Sequence, residues 1–233
     1  MAVVTGATQG IGKAIAEGAR VGVNGREQTD AMTAVVDSIG GFPVVADVSS
    51  HDEVGAAFAA VEQQHGAIDV LVCNAAYMTM LPFVDHEADD WWRNVDTNLS
   101  GTFHCIQAAL PGMKRRGGGN IVIITSEWGV IGWPNATAYA SSKAGLIGLT
   151  KALGRELAPA GISVNAVASG ITDTPQLNVD AQDAGLTLEQ MHAEYAEQSR
   201  SPDRATRGDP RQRSRDRPPR LPARGDGRDQ PGA

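Results

Sequence analysis

The sequence lacks several features that would indicate particular classes of protein. Its 233 residues include only two cysteines, Cys73 and Cys105, and each lies in an apolar segment. Two buried reduced thiols fit this pattern better than a disulfide, so we expect a cytoplasmic protein. No apolar run is long enough to span a bilayer, and no basic segment precedes an apolar one at the N-terminus. We therefore expect neither a membrane span nor a secretory signal.

Positive charge is also scarce. The chain has 20 Lys and Arg against 27 Asp and Glu, a net charge of −7, so the whole molecule has no general attraction for nucleic acid or anionic membranes. The five histidines are scattered without the spacing of metal ligands, and we expect no metal site.

The average charge conceals a change of composition near Gln198. Residues 199–233 contain ten arginines and five aspartates, which leaves a net charge of −12 for the rest. This segment has too few apolar residues to offset the entropy of ordering, so we expect a disordered tail after a domain spanning residues 1–198. One hypothesis is a GC-rich gene read in a shifted frame, which resequencing the coding DNA would test. The alternative is a basic tail that binds nucleic acid, although interleaved aspartates and absent aromatic residues disfavour it.

Residues 2–198 alternate short apolar runs with longer amphipathic stretches, which predicts a doubly wound parallel sheet in a single α/β domain. Most of the runs are nearly continuous Val and Ile, as expected of strands buried on both faces. The predicted strands are 2–5, 20–24, 42–46, 69–73, 120–125 and 162–167. The predicted helices include 51–65, which begins after the N-cap Ser50 and ends at Gly66, together with 91–116 and 137–158.

Two motifs carry the chemistry. Thr5–Gly12 places three glycines between a strand and a helix, a pattern typical of a dinucleotide-binding loop, although turns also collect glycine. Tyr139 and Lys143 are four residues apart on a predicted helix and share one face, while Ser126 ends the strand that borders the crevice. The Tyr-x-x-x-Lys spacing alone would often be coincidental. A nearby ammonium would lower the pKa of a tyrosine, which is ordinarily about 10.

Together these motifs resemble the short-chain dehydrogenase/reductase family over residues 2–198. The family's Asn-Ala-Gly motif corresponds to Asn74-Ala75-Ala76, and its catalytic asparagine to Asn98. The resemblance implies that Tyr139 acts as the general acid or base, Lys143 binds the nicotinamide ribose and Asn98 holds a water in the proton relay. Hydride would move between a nicotinamide cofactor and a carbonyl or secondary alcohol. The implied cofactor contacts are Gly6, Thr8, Gln9, Gly10, Ile11, Gly12, Arg26, Asp47, Val48, Asn74, Ala75, Tyr139, Lys143, Gly170 and Thr172.

Cofactor choice depends on the end of the second strand, where an acidic residue usually binds the ribose hydroxyl of NAD. Gly25 occupies that position and Arg26 follows, so we expect NADP, with NAD as the alternative. The less favoured alternatives are that Arg26 is only a solvated residue at a helix start and that Asp47 is a helix-capping residue. Asp89-Asp90 is interpreted as a solvated helix start. Trp128, Trp133 and Met78 either border the substrate or pack in a loop.

The chain departs from the family pattern in four places. Ala76 replaces a glycine, and Ser169 replaces the proline before Gly170. About five residues are missing from the first helix, because Gly25 follows Gly12 by only 13 positions instead of about 20. We predict a shortened helix or a strained connection, with easier hydrogen exchange than in 137–158. The resemblance to the family stops near Gln198, so the usual final strand is expected to be missing.

The leading interpretation is therefore an NADP-dependent carbonyl reductase or alcohol dehydrogenase, with residues 171–198 as a substrate lid containing one helix. The alternatives are a catalytically impaired cofactor-binding protein and a nucleic-acid-associated protein acting through its tail. The family's dimers or tetramers are doubtful here without the final strand. The sequence does not identify the substrate.

Overall fold

A six-stranded parallel sheet forms the centre of the molecule. The computed structural model describes residues 1–17, 20–183 and 186–199, and the predicted tail lies almost wholly outside them. The strand order is β3-β2-β1-β4-β5-β6, which confirms the doubly wound fold. The strands are β1 (Ala2–Val4), β2 (Val21–Gly25), β3 (Phe42–Val45), β4 (Val70–Cys73), β5 (Gly119–Ser126) and β6 (Ile162–Ser169).

Helices cover both faces of this sheet. They are α1 (Gly10–Ala16), α2 (Asp30–Ile39), α3 (His51–His65), α4 (Ala88–Val95), α5 (Gly101–Arg116), α6 (Trp128–Ile131), α7 (Thr137–Leu157), α8 (Pro175–Asp183) and α9 (Leu188–Ser199). The predicted caps of α3 are confirmed, since the Glu53 N–H donates to Ser50 Oγ and the helix ends at Gly66. Within the described ranges, none of these helices has the length and apolar character needed to cross a membrane.

The helix predicted over 91–116 differs from the observed one. It begins three residues earlier, at Ala88, because the acidic residues Asp89 and Asp90 belong to its first turn, where they favour the helix dipole. A π-helical turn over Asp96–Ser100 then separates α4 from α5. Apolar spacing does not reveal such a turn, since it inserts one residue without changing the sequence composition.

The shortened first helix is confirmed. Helix α1 has seven residues, about 10 Å of helix, and ends at Ala16, while β2 begins at Val21. Easier hydrogen exchange in this region remains a prediction.

The hydrophobic core lies on both faces of the sheet. On one face Phe58, Leu71 and Met113 are buried between the sheet and the flanking helices. On the other face Val23 and Met32 are buried. A third apolar cluster forms above the carboxyl ends of the strands, where α8 and α9 pack on α6. The helix predicted within residues 171–198 is therefore present as α9, and α8 precedes it. Its role as a substrate lid remains a prediction.

The two edges of the sheet differ. The β3 edge is four residues long and contains Pro43, features that discourage pairing with another chain. The β6 edge is eight residues long and uncharged, and among the described residues it pairs with β5 alone. Within the described residues the sheet ends at β6, and the expected absence of a further strand remains a prediction.

Candidate functional site

A cleft of about 870 Å³ opens at the carboxyl ends of the strands, where the strand order reverses between β1 and β4. Most of the sequence-predicted site residues line it: Gly6, Thr8, Gln9, Gly10, Ile11, Arg26, Asp47, Val48, Asn74, Ala75, Ser126, Tyr139, Lys143, Gly170 and Thr172. Gly12 and Asn98 do not line the cleft. The contacts of these two residues show that they support its wall.

The loop after β1 requires glycine at its closest approaches. Gly6 and Gly10 have φ of 59° and 54°, a region that other residues rarely adopt. A Cβ on Gly12 would lie 2.3 Å from the carbonyl oxygen of Gly6 and 2.5 Å from Asn74 Nδ2. The loop therefore presents bare backbone to the cleft, which is what close approach of a pyrophosphate needs.

Thr5 and Asn74 tie this loop to β4, although sequence reasoning assigned no role to the Thr5 side chain. The N–H groups of Asn74 and Ala75 donate to Thr5 Oγ1 at 2.9 and 3.0 Å. Asn74 Nδ2 donates to the carbonyl oxygens of Thr5 and Gly6, both at 3.0 Å. These bonds fix the floor of the cleft between the two central strands.

Asn24, on β2, was also missed. Its Nδ2 donates to the carbonyl oxygens of Val44 and Ala46 at 3.0 and 3.1 Å, and its Oδ1 accepts from the Gly6 N–H at 3.3 Å. The side chain is 2% exposed and joins three successive strands at the cleft. A polar residue that interrupts an apolar strand run is the signal that could have identified it.

The three residues of the second motif lie together. Ser126 is the last residue of β5 and is 7% exposed, and Tyr139 and Lys143 occupy adjacent turns of α7. Lys143 is 2% exposed, and its Nζ donates to the Ile124 carbonyl oxygen at 2.8 Å. The same Nζ lies 5.4 Å from the centroid of the Tyr139 ring.

Burial governs the ionisation of the groups beneath the site. It lowers the pKa of Lys143 from 10.5 to about 8, because the ammonium loses its hydration. Burial also raises the pKa of the Cys73 thiol, and that of Cys105 to about 12, so both thiols stay neutral. The two cysteines are free and buried, which confirms the predicted reduced thiols.

Ser126 is oriented by the start of α6. The Trp128 N–H donates to Ser126 Oγ at 3.2 Å. A serine hydroxyl has two acceptor lone pairs and one O–H donor, so this bond leaves the O–H available for a bound oxygen.

Asn98 lies in the π-helical turn and is fully buried. Its Oδ1 accepts from the Tyr77 N–H at 2.7 Å, while its Nδ2 donates to the Tyr77 carbonyl oxygen and to Ser142 Oγ. Ser142 in turn donates to the Tyr139 carbonyl oxygen at 2.7 Å. Asn98 therefore holds the cleft segment at Tyr77 and the turn of α7 that carries Tyr139. Its role with a water remains a prediction.

The far end of the cleft contains Gly25, Arg26 and Asp47. The Asp47 carboxylate accepts from the N–H and hydroxyl of Ser49, at 2.9 and 2.7 Å, in the turn before α3. The N-cap of α3 is Ser50, so Asp47 stabilises the turn and does not cap the helix itself. Arg26 is exposed and lines the cleft.

Asp90 lies at the start of α4, as predicted, but the prediction missed the side chains that bind its carboxylate. Tyr77 Oη donates to Asp90 Oδ1 at 2.8 Å, and Thr79 Oγ1 donates to Oδ2 at 2.6 Å. The hydrogen bond from Thr79, followed in effect by that from Tyr77, lowers the pKa of Asp90. The error arose because the partners lie in the loop after β4, which helical spacing cannot bring into contact. Asp89 is exposed, as predicted.

No group of three or more His, Cys, Asp or Glu side chains that could hold a metal ion occurs in residues 1–17, 20–183 and 186–199.

Comparison with known proteins gives one consistent family. The model of the short chain dehydrogenase family matches residues 1–184. The 3-oxoacyl-(acyl-carrier-protein) reductase FabG of Staphylococcus aureus is 42% identical over 179 residues, which are 72% of this chain and 73% of that protein. The D-beta-hydroxybutyrate dehydrogenase of Rhizobium meliloti is 35% identical over 205 residues, 82% of this chain and 80% of that protein. A crystal structure of a putative gluconate dehydrogenase from Agrobacterium tumefaciens has a TM-score of 0.75 and 32% identity, covering 78% of this chain and 75% of that chain.

Proposed function

The chain belongs to the short-chain dehydrogenase family, and we propose that it reduces a carbonyl compound with NADPH, with Tyr139 as the general acid. At the level of the family it is an oxidoreductase that acts on CH–OH or C=O groups with a nicotinamide cofactor. The proposal concerns the proton donor, the supporting residues and the choice of cofactor.

The observation that carries the proposal is the placement of Tyr139 beside a buried ammonium and a strand-terminal serine. Lys143 Nζ lies 5.4 Å from the Tyr139 ring, and all three side chains line one cleft. A positive charge near the ring stabilises the phenolate that remains after a proton is given to the substrate oxygen.

Each residue then has one task. Tyr139 gives its proton to the substrate oxygen, or accepts one in the reverse direction. The Ser126 O–H donates to the same oxygen where negative charge develops. Lys143 supplies the positive charge, and Asn98 and Ser142 hold the backbone of α7 in position.

The glycine loop fits a dinucleotide, since a Cβ at Gly6 would lie 2.8 Å from Ala75 Cα and one at Gly12 only 2.3 Å from a carbonyl oxygen. Gly6, Gly10 and Gly12 therefore leave the backbone free to meet a pyrophosphate, and Lys143 would meet the nicotinamide ribose. When bound, the nicotinamide supplies or accepts the hydride.

The choice of NADP rests on the end of β2. A carboxylate that binds the ribose hydroxyl of NAD usually stands at the position of Gly25, where a Cβ would meet Met32 Cε at 2.8 Å and Thr8 Cγ2 at 2.9 Å, so both of these side chains would have to move. No carboxylate at this position repels a 2′-phosphate, and the Arg26 guanidinium beside it can pair with one.

Replacement of Tyr139 by phenylalanine tests the catalytic proposal. We expect Tyr139→Phe to lower kcat with NADPH and a panel of ketones by about 10²- to 10⁴-fold, because the proton donor is removed. Binding of NADPH, measured by fluorescence titration, should stay within a few-fold of wild type. Lys151→Met, an exposed substitution on the same helix, is the matched control and should keep full activity.

Two results would contradict the proposal. Equal turnover by wild type and Tyr139→Phe would exclude the tyrosine as the acid. If both proteins bind NADPH and neither turns over any ketone, the chain is the impaired cofactor-binding protein.

Replacement of Arg26 tests the choice of cofactor. Arg26→Ala should weaken NADPH binding about tenfold or more relative to NADH, because one charged hydrogen-bond partner is lost. An unchanged ratio would exclude Arg26 as the phosphate contact.

A further inference from the structure

Alternate residues of the segment after β4 have different partners. The side chains of Tyr77 and Thr79 donate to α4, and the Leu81 N–H donates to the loop before α7. Met78 and Met80 lie between them in the sequence and pack against the apolar cluster where α8 and α9 meet α6. The segment therefore has a bonded side, which meets α4, and an apolar side, which meets this cluster.

Met78 lies in the wall of the cleft that contains the proposed proton donor. Both Met78 and Tyr139 line the cleft, and both are partly buried against the same apolar cluster. A methionine side chain is unbranched and polarisable, which suits it to contact with the apolar part of a bound ligand. Because it is also flexible, its place in the wall depends on how firmly the backbone around it is held.

Asp90 holds the segment on both sides of Met78. Its Oδ1 accepts from Tyr77 Oη at 2.8 Å, and its Oδ2 accepts from Thr79 Oγ1 at 2.6 Å. Hydrogen bonds to a carboxylate are stronger than those between neutral groups. One side chain thus fixes the residue before Met78 and the residue after it, although Asp90 itself does not line the cleft.

Two further residues of α4 support this arrangement. Asn94 Nδ2 donates to Thr79 Oγ1 at 3.0 Å, and the Arg93 guanidinium lies 4.2 Å above the ring of Tyr77. Residues three and four positions after Asp90 share its face of the helix. Of these three α4 residues, Asp90 is the one that bonds to both Tyr77 and Thr79.

We propose that Asp90 is a positioning residue for substrate recognition, which sets Met78 against the apolar chain of a ketone bound at Tyr139. This inference rests on the proposed oxidoreductase function. It names an apolar chain beside the carbonyl as the part of the substrate that the Met78 wall recognises.

Two methyl ketones of different length measure the contact. Butanone and 2-octanone present the same reacting group, but 2-octanone has the longer apolar chain, so wild type should have the lower KM for 2-octanone. In Asp90→Ala the KM for 2-octanone should rise about tenfold, which corresponds to the loss of contact with about two methylene groups. The kcat for 2-octanone and the KM for butanone should stay close to wild type. Simple loss of folded protein would instead lower turnover of both ketones equally.

Variants assign the effect to residues. Met78→Ala should raise the KM for 2-octanone as Asp90→Ala does, and the double variant should be little worse than either, because both changes remove one contact. Should Asp90→Ala fail to fold, Asp90→Asn and Tyr77→Phe each weaken the bonded side and should show part of the effect. Glu87→Ala is the matched control, because it removes an exposed carboxylate next to α4 that makes no side-chain capping bond.

A calorimetric titration of 2-octanone into the protein with oxidised cofactor gives a readout that does not require turnover. An unchanged KM for 2-octanone in Asp90→Ala, or additive effects of Asp90→Ala and Met78→Ala, would overturn the inference and leave the oxidoreductase proposal standing. If wild type turns over neither ketone, the oxidoreductase proposal fails and binding decides the inference. Weaker binding by Asp90→Ala than by wild type and Glu87→Ala would then support it, while equal binding by all three proteins would overturn it.

Discussion

We predict that the buried Lys143 ammonium assists catalysis but lowers the free energy of unfolding. Its ammonium is 2% exposed, and burial lowers its pKa from 10.5 to about 8. At about 1.36 kcal/mol for each factor of ten in proton affinity, the charged lysine costs about 3 kcal/mol at pH 7. Lys143→Met removes the charge and keeps most of the side-chain volume, at the loss of the hydrogen bond to the Ile124 carbonyl oxygen. In wild type that hydrogen bond offsets about 1 kcal/mol of the cost of the buried charge.

The sign of the pH dependence follows from the direction of the pKa change. Below pH 8 the lysine is charged in both the folded and the unfolded protein, and the full cost is present. Between pH 8 and 10.5 the folded protein has released the proton while the unfolded protein still holds it, so wild-type stability rises relative to the variant. The cost of the charge should fall to about 2 kcal/mol at pH 9 and to below about 1 kcal/mol at pH 10.

The assay is urea unfolding of wild type and Lys143→Met at several pH values from 7 to 10. We expect the variant to be more stable by about 2 kcal/mol at pH 7, to lose that advantage as the pH rises, and to be catalytically inactive. Lys151→Met, exposed on the same helix, should show a small difference that does not change with pH. A constant difference between wild type and Lys143→Met over this range would refute the buried-charge argument.

Three further predictions concern the loop, the α4 contact and the sheet edge. Gly12→Ala should destabilise the protein by about 1–3 kcal/mol and weaken NADPH binding, whereas Gly148→Ala, in an open helical position, should be neutral or stabilising in the same melts. Asp90→Asn should lower stability at pH 7, and the difference from wild type should shrink as the pH falls below 3.8; a difference that persists there contradicts the hydrogen-bonded carboxylate. Where light scattering detects self-association, Val167→Lys on the exposed β6 edge should reduce it; unchanged association would exclude that edge as the contact.

The sequence was sufficient to predict features that depend on residues close together in the chain. Runs of Val and Ile predicted all six strands to within one or two residues, because the central strands are buried on both faces and are therefore mostly apolar. The spacing of Tyr139 and Lys143 predicted a shared helix face, and α7 provides it. Helix α1 is short, as the residue count between Gly12 and Gly25 required.

The features that the sequence did not predict depend on contacts between segments that are distant in the chain. The hydrogen bond of Asp90 to Tyr77 joins a helix to a loop 13 residues earlier, and no periodicity encodes that distance. The π-helical turn at Asn98 was also not predicted, and Asn98 bonds there to Tyr77 and Ser142, which lie 21 and 44 residues away in the chain. Spacing along the chain does not specify which partners a buried amide will find.

Many of the buried polar residues belong to the candidate site or support it. Among the described residues they are Thr5, Asn24, Asn94, Asn98, Thr102, Thr125, Ser126, Ser142 and Lys143. Several of them support one another. Thr102 Oγ1 donates to the Asn98 carbonyl oxygen, and Thr125 Oγ1 donates to the Lys143 carbonyl oxygen. Each buried polar group needs a partner, so a network of this kind holds its members in one arrangement. The apolar clusters supply most of the stability, and the polar network positions the proton donor and the lysine whose charge the fold must tolerate.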